Sequence, residues 1–191
     1  MTITSPAHRR LAAMTLGAMM LAVTPAATAA AKCDIVGTNG PDELVGTAAA
    51  EIICGLGGDD IIRGGAGDTL IGGRGHDTLI ITGAGDPAAP TGGIAIGGVG
   101  NDQLFGGAGP DRLEGGMGRD ALRGRGGDDI LLGGSGPDRI FGGAGNDRLQ
   151  GDRGKDRLLG ETGDDHVEGN AGSDVLLGGT GNDVLLGDVF T

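Results

Sequence analysis

From Gly97 onward a large aliphatic residue recurs at every ninth position: Leu104, Leu113, Leu122, Leu131, Ile140, Leu149, Leu158, Val167, Leu176 and Leu185. Upstream the row continues less regularly through Leu44, Ile53, Ile62, Leu70 and Leu79. Ten nonapeptides, from GGVGNDQLF to GGTGNDVLL, fill Gly97–Leu186 without a gap; their first and fourth residues are always Gly and the sixth is always Asp. A period of nine fits neither an amphipathic helix nor a long alternating strand. It predicts a tight turn whose glycines, at the first, second and fourth positions, supply positive φ and close backbone approach. A three-residue strand follows, with the eighth side chain inward and the seventh and ninth outward. One such unit cannot bury its apolar face alone, whereas stacked units share a continuous core. Two nonapeptides make one coil, with a turn at each edge and two thin sheets facing across the aliphatic row. The predicted fold is therefore all-β: a parallel, right-handed β-roll with two short parallel sheets, on the order of 40 Å long at ~4.8 Å per strand.

The chain before Gly97 keeps the pattern in degraded form, as GTNGPDELV, GTAAAEIIC, GLGGDDIIR, the eight-residue GGAGDTLI and GGRGHDTLI. Every one has an acid at the sixth-position equivalent, and only Glu51 is not Asp. Residues 81–96, with Pro87 and Pro90, break the frame and are read as a coil carrying an inserted loop at 86–93. The organisation expected is a leader over 1–31, degenerate repeats over 32–96 with the irregular insertion at 81–96, and ten regular repeats with a short end over 97–191.

The leader differs in composition from the rest. His8-Arg9-Arg10 is followed by an apolar run from Leu11 to Val23 and by the small residues 26–31. This is the layout of a secretory signal peptide, and the run is short of the ~20 residues that cross a bilayer. Export to the extracellular space is the reading, with no membrane span in the mature chain; a retained N-terminal anchor is the alternative. All 26 acidic residues and 12 of the 14 basic ones lie after the leader, which leaves the mature chain near −14. Such acidity argues against nucleic acid, whose phosphates demand a basic face.

Glycine supplies 45 of 191 residues, with no Trp or Tyr and three Phe. Without the repeat this composition would mean disorder. The frames resemble the GGxGxDxUx repeat of the RTX, or hemolysin-type, calcium-binding family, in which U is a large aliphatic. That resemblance implies Ca²⁺ ions held between stacked turns by the sixth-position aspartates and by glycine-turn carbonyls. The metal ligands expected are Asp42, Asp60, Asp77, Asp102, Asp111, Asp120, Asp129, Asp138, Asp147, Asp156, Asp165, Asp174 and Asp183. Physical chemistry agrees: carboxylates stacked about 5 Å apart repel and need a positive counter-charge. A hard cation with oxygen ligands fits, and Mg²⁺ fits less well because it demands strict octahedral geometry.

The two edges differ in charge over the first six positions of their turns. The turns starting at Gly106, Gly124, Gly142, Gly160 and Gly178 hold eight acids and one base, whereas those starting at Gly97, Gly115, Gly133, Gly151 and Gly169 hold six acids and three bases. The first edge is expected to bind calcium more tightly. Cys33 and Cys54 are read as a possible disulfide rather than a metal site in an exported chain. Their offset along neighbouring strands is about three residues, too far for a bridge unless the first strand bends. The family usually carries a capping segment or partner domain after the roll, and its absence after Leu186 leaves the last coil without one.

No enzymatic constellation emerges. His8, His76 and His166 lack paired zinc spacing, Ser135 and Ser173 sit at variable turn positions, and the GxGxxG-like strings lack a strand–helix context. Two functions are compatible with the pattern. One is a calcium binder that folds on its ions; the other is a calcium-stabilised adhesive or scaffold protein that self-associates or binds a cell-surface partner. The second draws on the outward ninth-position residues Phe105, Leu132, Phe141, Leu159, Leu177 and Leu186.

Overall fold

A computed structural model of the protein describes residues 10–11, 32–82 and 91–187. Among these residues there are eighteen strands and no helix, wound alternately into two nine-stranded parallel sheets. The odd sheet contains β1 (Arg10–Leu11), β3 (Glu43–Val45), β5 (Ile61–Gly64), β7 (Thr78–Ile81), β9 (Gln103–Phe105), β11 (Ala121–Gly126), β13 (Arg139–Ala144), β15 (Arg157–Thr162) and β17 (Val175–Thr180). The even sheet contains β2 (Ile35–Val36), β4 (Ile52–Gly57), β6 (Thr69–Arg74), β8 (Ile94–Val99), β10 (Arg112–Met117), β12 (Ile130–Ser135), β14 (Arg148–Gly154), β16 (His166–Gly172) and β18 (Val184–Leu186). This is a parallel β-roll.

Register follows the repeat. Leu104, Leu122, Ile140, Leu158 and Leu176 are successive partners in the odd sheet. Leu113, Leu131, Leu149, Val167 and Leu185 are partners in the even sheet. Together with their upstream equivalents they form one row, buried as far as Val167; Leu176 is partly buried against it and Leu185, in the last strand, is 45% exposed.

Most strands in the regular tract span six residues, where three were expected. They continue through the first three positions of the next nonapeptide, because the backbone there stays paired with its neighbours. The first-position glycines consequently face inward, and their requirement is space, not positive φ. Positive φ falls at second and fourth positions, as at Gly116 and Gly118. A Cβ on Gly115 would lie 2.5 Å from the carboxylate of Asp120 and 2.7 Å from the carbonyl of Gly133. We expect Gly115→Ala to lower stability by about 1–3 kcal/mol through overpacking. Gly187→Ala, where nothing lies within 4 Å, should leave stability unchanged. Thermal melts of both variants in calcium check this, and equal midpoints would contradict it.

The irregular segment is resolved by a substitution in the core. Leu70 and Leu113 flank Ala95 in register, so a half-coil places Gly93 at the sixth position and the small Ala95 at the eighth. Ile81 at the end of β7 is 1% exposed and fills the gap; a Cβ on Gly93 would sit 3.1 Å from its side chain. This half-coil therefore keeps the core but has Gly93 in place of an acid at its sixth position. Residues 83–90, which contain most of the expected loop, lie outside the described part, as do 188–191 and the expected leader apart from β1.

Cys33 and Cys54 form a disulfide with a Cα–Cα distance of 6.0 Å. Val36 is the in-register partner of Cys54, which does place Cys33 three residues away. Straight strands would separate the two Cα atoms by roughly 11 Å. The chain ahead of β2 bends towards Cys54, as bonding requires, since Cys33 precedes the paired strand and the register does not constrain it.

Candidate metal centre

Each turn delivers its sixth-position acid to the roll interior, just ahead of the strand whose second residue fills the core. On the edge leading into the odd strands, hereafter the odd edge, Asp42, Asp60, Asp77, Asp102, Asp120, Asp138, Asp156 and Asp174 form one ladder. The backbone N–H of each donates to the Oδ1 of the next at 2.8–2.9 Å. On the even edge the N–H of Gly93 donates to Asp111, and the ladder continues through Asp129, Asp147 and Asp165 to Asp183 at 2.7–3.0 Å. Glu51 donates in the same way to Asp68. From Asp42 to Asp165 these aspartates are almost completely buried. One oxygen of each thus has a structural task, which is why a carboxylate is tolerated so deep in the roll.

The second oxygen divides the turns into two kinds. In the closed kind it accepts the N–H of the second-position residue of its own turn: Thr38 to Asp42 at 2.6 Å, Thr47 to Glu51 at 2.5 Å, Gly65 to Asp68 at 2.7 Å and Gly107 to Asp111 at 2.5 Å. In the open kind, Oδ2 of Asp60, Asp77, Asp102, Asp120, Asp129, Asp138, Asp147, Asp156 and Asp165 is buried with no hydrogen-bond partner. The backbone sets the difference. Every open turn places its second-position residue at positive φ, and Leu56, Arg125, Asp152 and Glu161 do so without being glycine, as does Asn170 in the Asp174 turn. Holding such residues in the left-handed region costs of order 1 kcal/mol or more each.

Nine orphaned carboxylate oxygens in one interior cannot remain charged without compensation. Burial pushes Asp129 up to about 8, and Asp102 and Asp138 up to about 7. It raises Asp60, Asp147 and Asp156 to about 6. Asp77, Asp111, Asp120 and Asp165 are also raised by burial, against the lowering effect of their backbone hydrogen bonds. Repulsion from neighbouring ladder members adds to the rise, for example from Asp147 and Asp111 on Asp129.

The residues present fit a hard divalent cation. Among the described residues no three His, Cys, Asp or Glu side chains converge on one point, so backbone oxygen must complete any coordination. It is close at hand: a Cβ on Gly118 or Gly136 would fall on the carbonyl of the fourth-position glycine one coil earlier, so these carbonyls stand in a column along the turns. Carboxylate plus carbonyl oxygen is a calcium donor set.

Asp68, the sixth-position acid of the eight-residue repeat but not among the expected ligands, stands in the ladder and is 1% exposed. A further feature has no counterpart in the sequence pattern. The fifth positions form a second, exposed ladder. Asp128 accepts from the N–H of Asn146, Asn146 from Asp164 and Asp164 from Asn182, at 2.8–2.9 Å. On the odd edge Asp59, His76 and Asn101 accept in turn from His76, Asn101 and Arg119. His76 is thereby a turn ligand for backbone, and His166 is paired with Glu168 at 2.6 Å.

A parallel β-roll with buried acidic ladders in glycine turns defines the class. Models of the RTX calcium-binding nonapeptide repeat match residues 36–69, 45–79, 67–86, 96–131, 123–158, 132–167 and 150–185. The chain belongs to the RTX calcium-binding nonapeptide repeat family. No curated protein matches it.

Proposed function

We propose that this is a secreted calcium-binding protein whose open turns hold Ca²⁺ through their sixth-position aspartates, which folds on its ions and performs no catalysis. The orphaned Oδ2 atoms carry this reading. Calcium, when bound, supplies the positive charge that the ladders lack. The chain supplies the rest: Oδ1 ties each open-turn acid to the neighbouring coil and leaves Oδ2 without a hydrogen-bond partner in the protein. Asp42 and Asp111, whose second oxygens are already bonded, are weaker ligands than the open-turn aspartates. Asp174 and Asp183 complete the proposed set at the C-terminal end. Export through the leader at 1–31 belongs to the same proposal, and N-terminal sequencing of protein recovered from the medium tests it.

Isothermal titration of Asp→Asn variants tests the sites, because Asn keeps the Oδ1 acceptor while losing the charge and exchanging the Oδ2 oxygen for an NH2 donor. Asp129→Asn with Asp147→Asn should weaken calcium binding more than Asp120→Asn with Asp138→Asn, since the even edge carries the larger acidic excess. Asp111→Asn should cost least. Equal losses at all five positions would remove both the edge difference and the distinction between open and closed turns.

The scaffold reading has a separate observation in its favour. The outer surface exposes Val99, Met117, Ile130, Leu177 and Leu186, each between 39% and 60% accessible. Scattered apolar residues are ordinary on a surface, so the question is whether they belong to a complementary pattern.

A further inference from the structure

The third and fifth positions of each turn form the tips of the two edges. Between Gly97 and Leu186 the odd-edge tips contain Arg119, Arg153 and Lys155 and no acid. The even-edge tips contain Asp128 and Asp164 and no base. From Asp102 to Asp165 the sixth-position aspartates are turned inward and buried, so they do not alter this segregation at the tips; the second positions add Arg125 and Glu161 to the even edge and Asp152 to the odd edge. Arg119, Arg153 and Lys155 are exposed, and their side chains make no ion pair or hydrogen bond among the described residues. By contrast, Arg63, Arg112 and Arg148 each pair with a Glu on their own sheet face.

The two rows also match by height. Arg119 and Lys155 are separated by two coils, and so are Asp128 and Asp164. Each cation precedes its counterpart by nine residues, half a coil, so a copy translated sideways with a small axial shift faces Arg119 to Asp128 and Lys155 to Asp164. Both rows share one rise, ~4.8 Å per coil, so the pairing stays in step along the roll. The same translation sets the exposed Val99 and Met117, 50% and 60% accessible, against Ala108 and Gly126, among the smallest third-position residues of the opposite edge. In this register the second positions set Asp152 against Glu161, so the complementarity is carried by the third and fifth positions.

We propose that the partner of the odd edge is the even edge of a second copy of this chain, so that rolls associate side by side. The contact is heterologous: each copy retains one free edge of either kind, and translation gives an open row instead of a closed dimer. The interface rests on the calcium reading only in requiring the loaded, folded roll.

The test uses the full chain in millimolar calcium, with sedimentation velocity for mass and circular dichroism on the same samples for fold. The wild type should form species that lengthen with concentration and dissociate in about 1 M salt, where the screening length is ~3 Å. Arg119→Glu with Lys155→Glu spoils only the odd edge. Asp128→Asn with Asp164→Asn spoils only the even edge while keeping the Oδ1 acceptors of the fifth-position ladder. Each variant alone should be monomeric, and their equimolar mixture should stop at twice the monomer mass, because one good odd edge meets one good even edge. A folded wild type that stays monomeric overturns the proposal, as does a variant that still forms longer species or a mixture that stays monomeric. If circular dichroism shows calcium failing to fold the chain, the calcium reading is the one that has failed.

Discussion

Chelating calcium is expected to convert the protein from a compact β-roll into an expanded chain, and returning calcium to millimolar levels should restore the roll. The favourable side of folding is thin: one aliphatic row, no Trp or Tyr, and three Phe. The unfavourable side is large, since ordering a backbone residue costs about 1–2 kcal/mol and the 45 glycines have the most freedom to lose. Five non-glycine residues at positive φ and nine orphaned carboxylate oxygens add to it. Ion binding is the term that offsets these, so its free energy becomes folding free energy. Extracellular calcium modules commonly work at roughly 10⁻⁴–10⁻³ M, and the transition is expected in that range. Circular dichroism and small-angle scattering during an EGTA titration read it directly. A β-rich, compact chain after exhaustive chelation would refute coupled folding.

Acid is expected to substitute in part for calcium. The ladder aspartates have folded-state pKa values raised by burial, to about 8 for Asp129 and about 7 for Asp102 and Asp138, against an ordinary 3.8. Between these limits the folded chain binds more protons than the unfolded one, so ion-free stability falls as pH rises. The contribution is complete below about pH 4 and lost as the pH passes through the range 6 to 8. A chelated sample should therefore gain β-sheet signal on acidification from pH 8 towards 4.5. With calcium present the sign reverses for the ion, because protons compete for the same oxygens and apparent affinity should drop steeply below pH 7. Circular dichroism in EGTA and calcium titrations at several pH values measure the two halves. A chelated chain equally unfolded at pH 8 and 4.5 would mean that the ladder charges do not govern folding.

The nine-residue pattern made much of this legible. Its inward eighth position and sixth-position acid gave the β-roll, the core row and the calcium family, since both residues recur where the physics of a stacked turn requires them. Strand length was not legible, because six-residue strands depend on backbone pairing through glycines that look like turn residues. The core of the irregular half-coil was hidden for a related reason: Ile81 fills the space beside Ala95 from a different sequence position, and no periodic scan connects the two. The division into open and closed turns was also beyond reach. Gly65 and Gly107 have the same identity as Gly116 and Gly134 but a different backbone, and only the three-dimensional hydrogen bonds separate them.

The exposed fifth-position ladder has a consequence for a chain built from near copies of itself. Sliding the C-terminal part of the roll back by one coil would leave the aliphatic row and the buried aspartates aligned, so neither can index the winding. Asn101 would then meet Pro137, which has no N–H to give, and Asn146 would exchange Asp128 for Pro110, which has no side-chain acceptor. These few unlike residues act as numbering on an otherwise uniform tape, and they let each coil find its own neighbour.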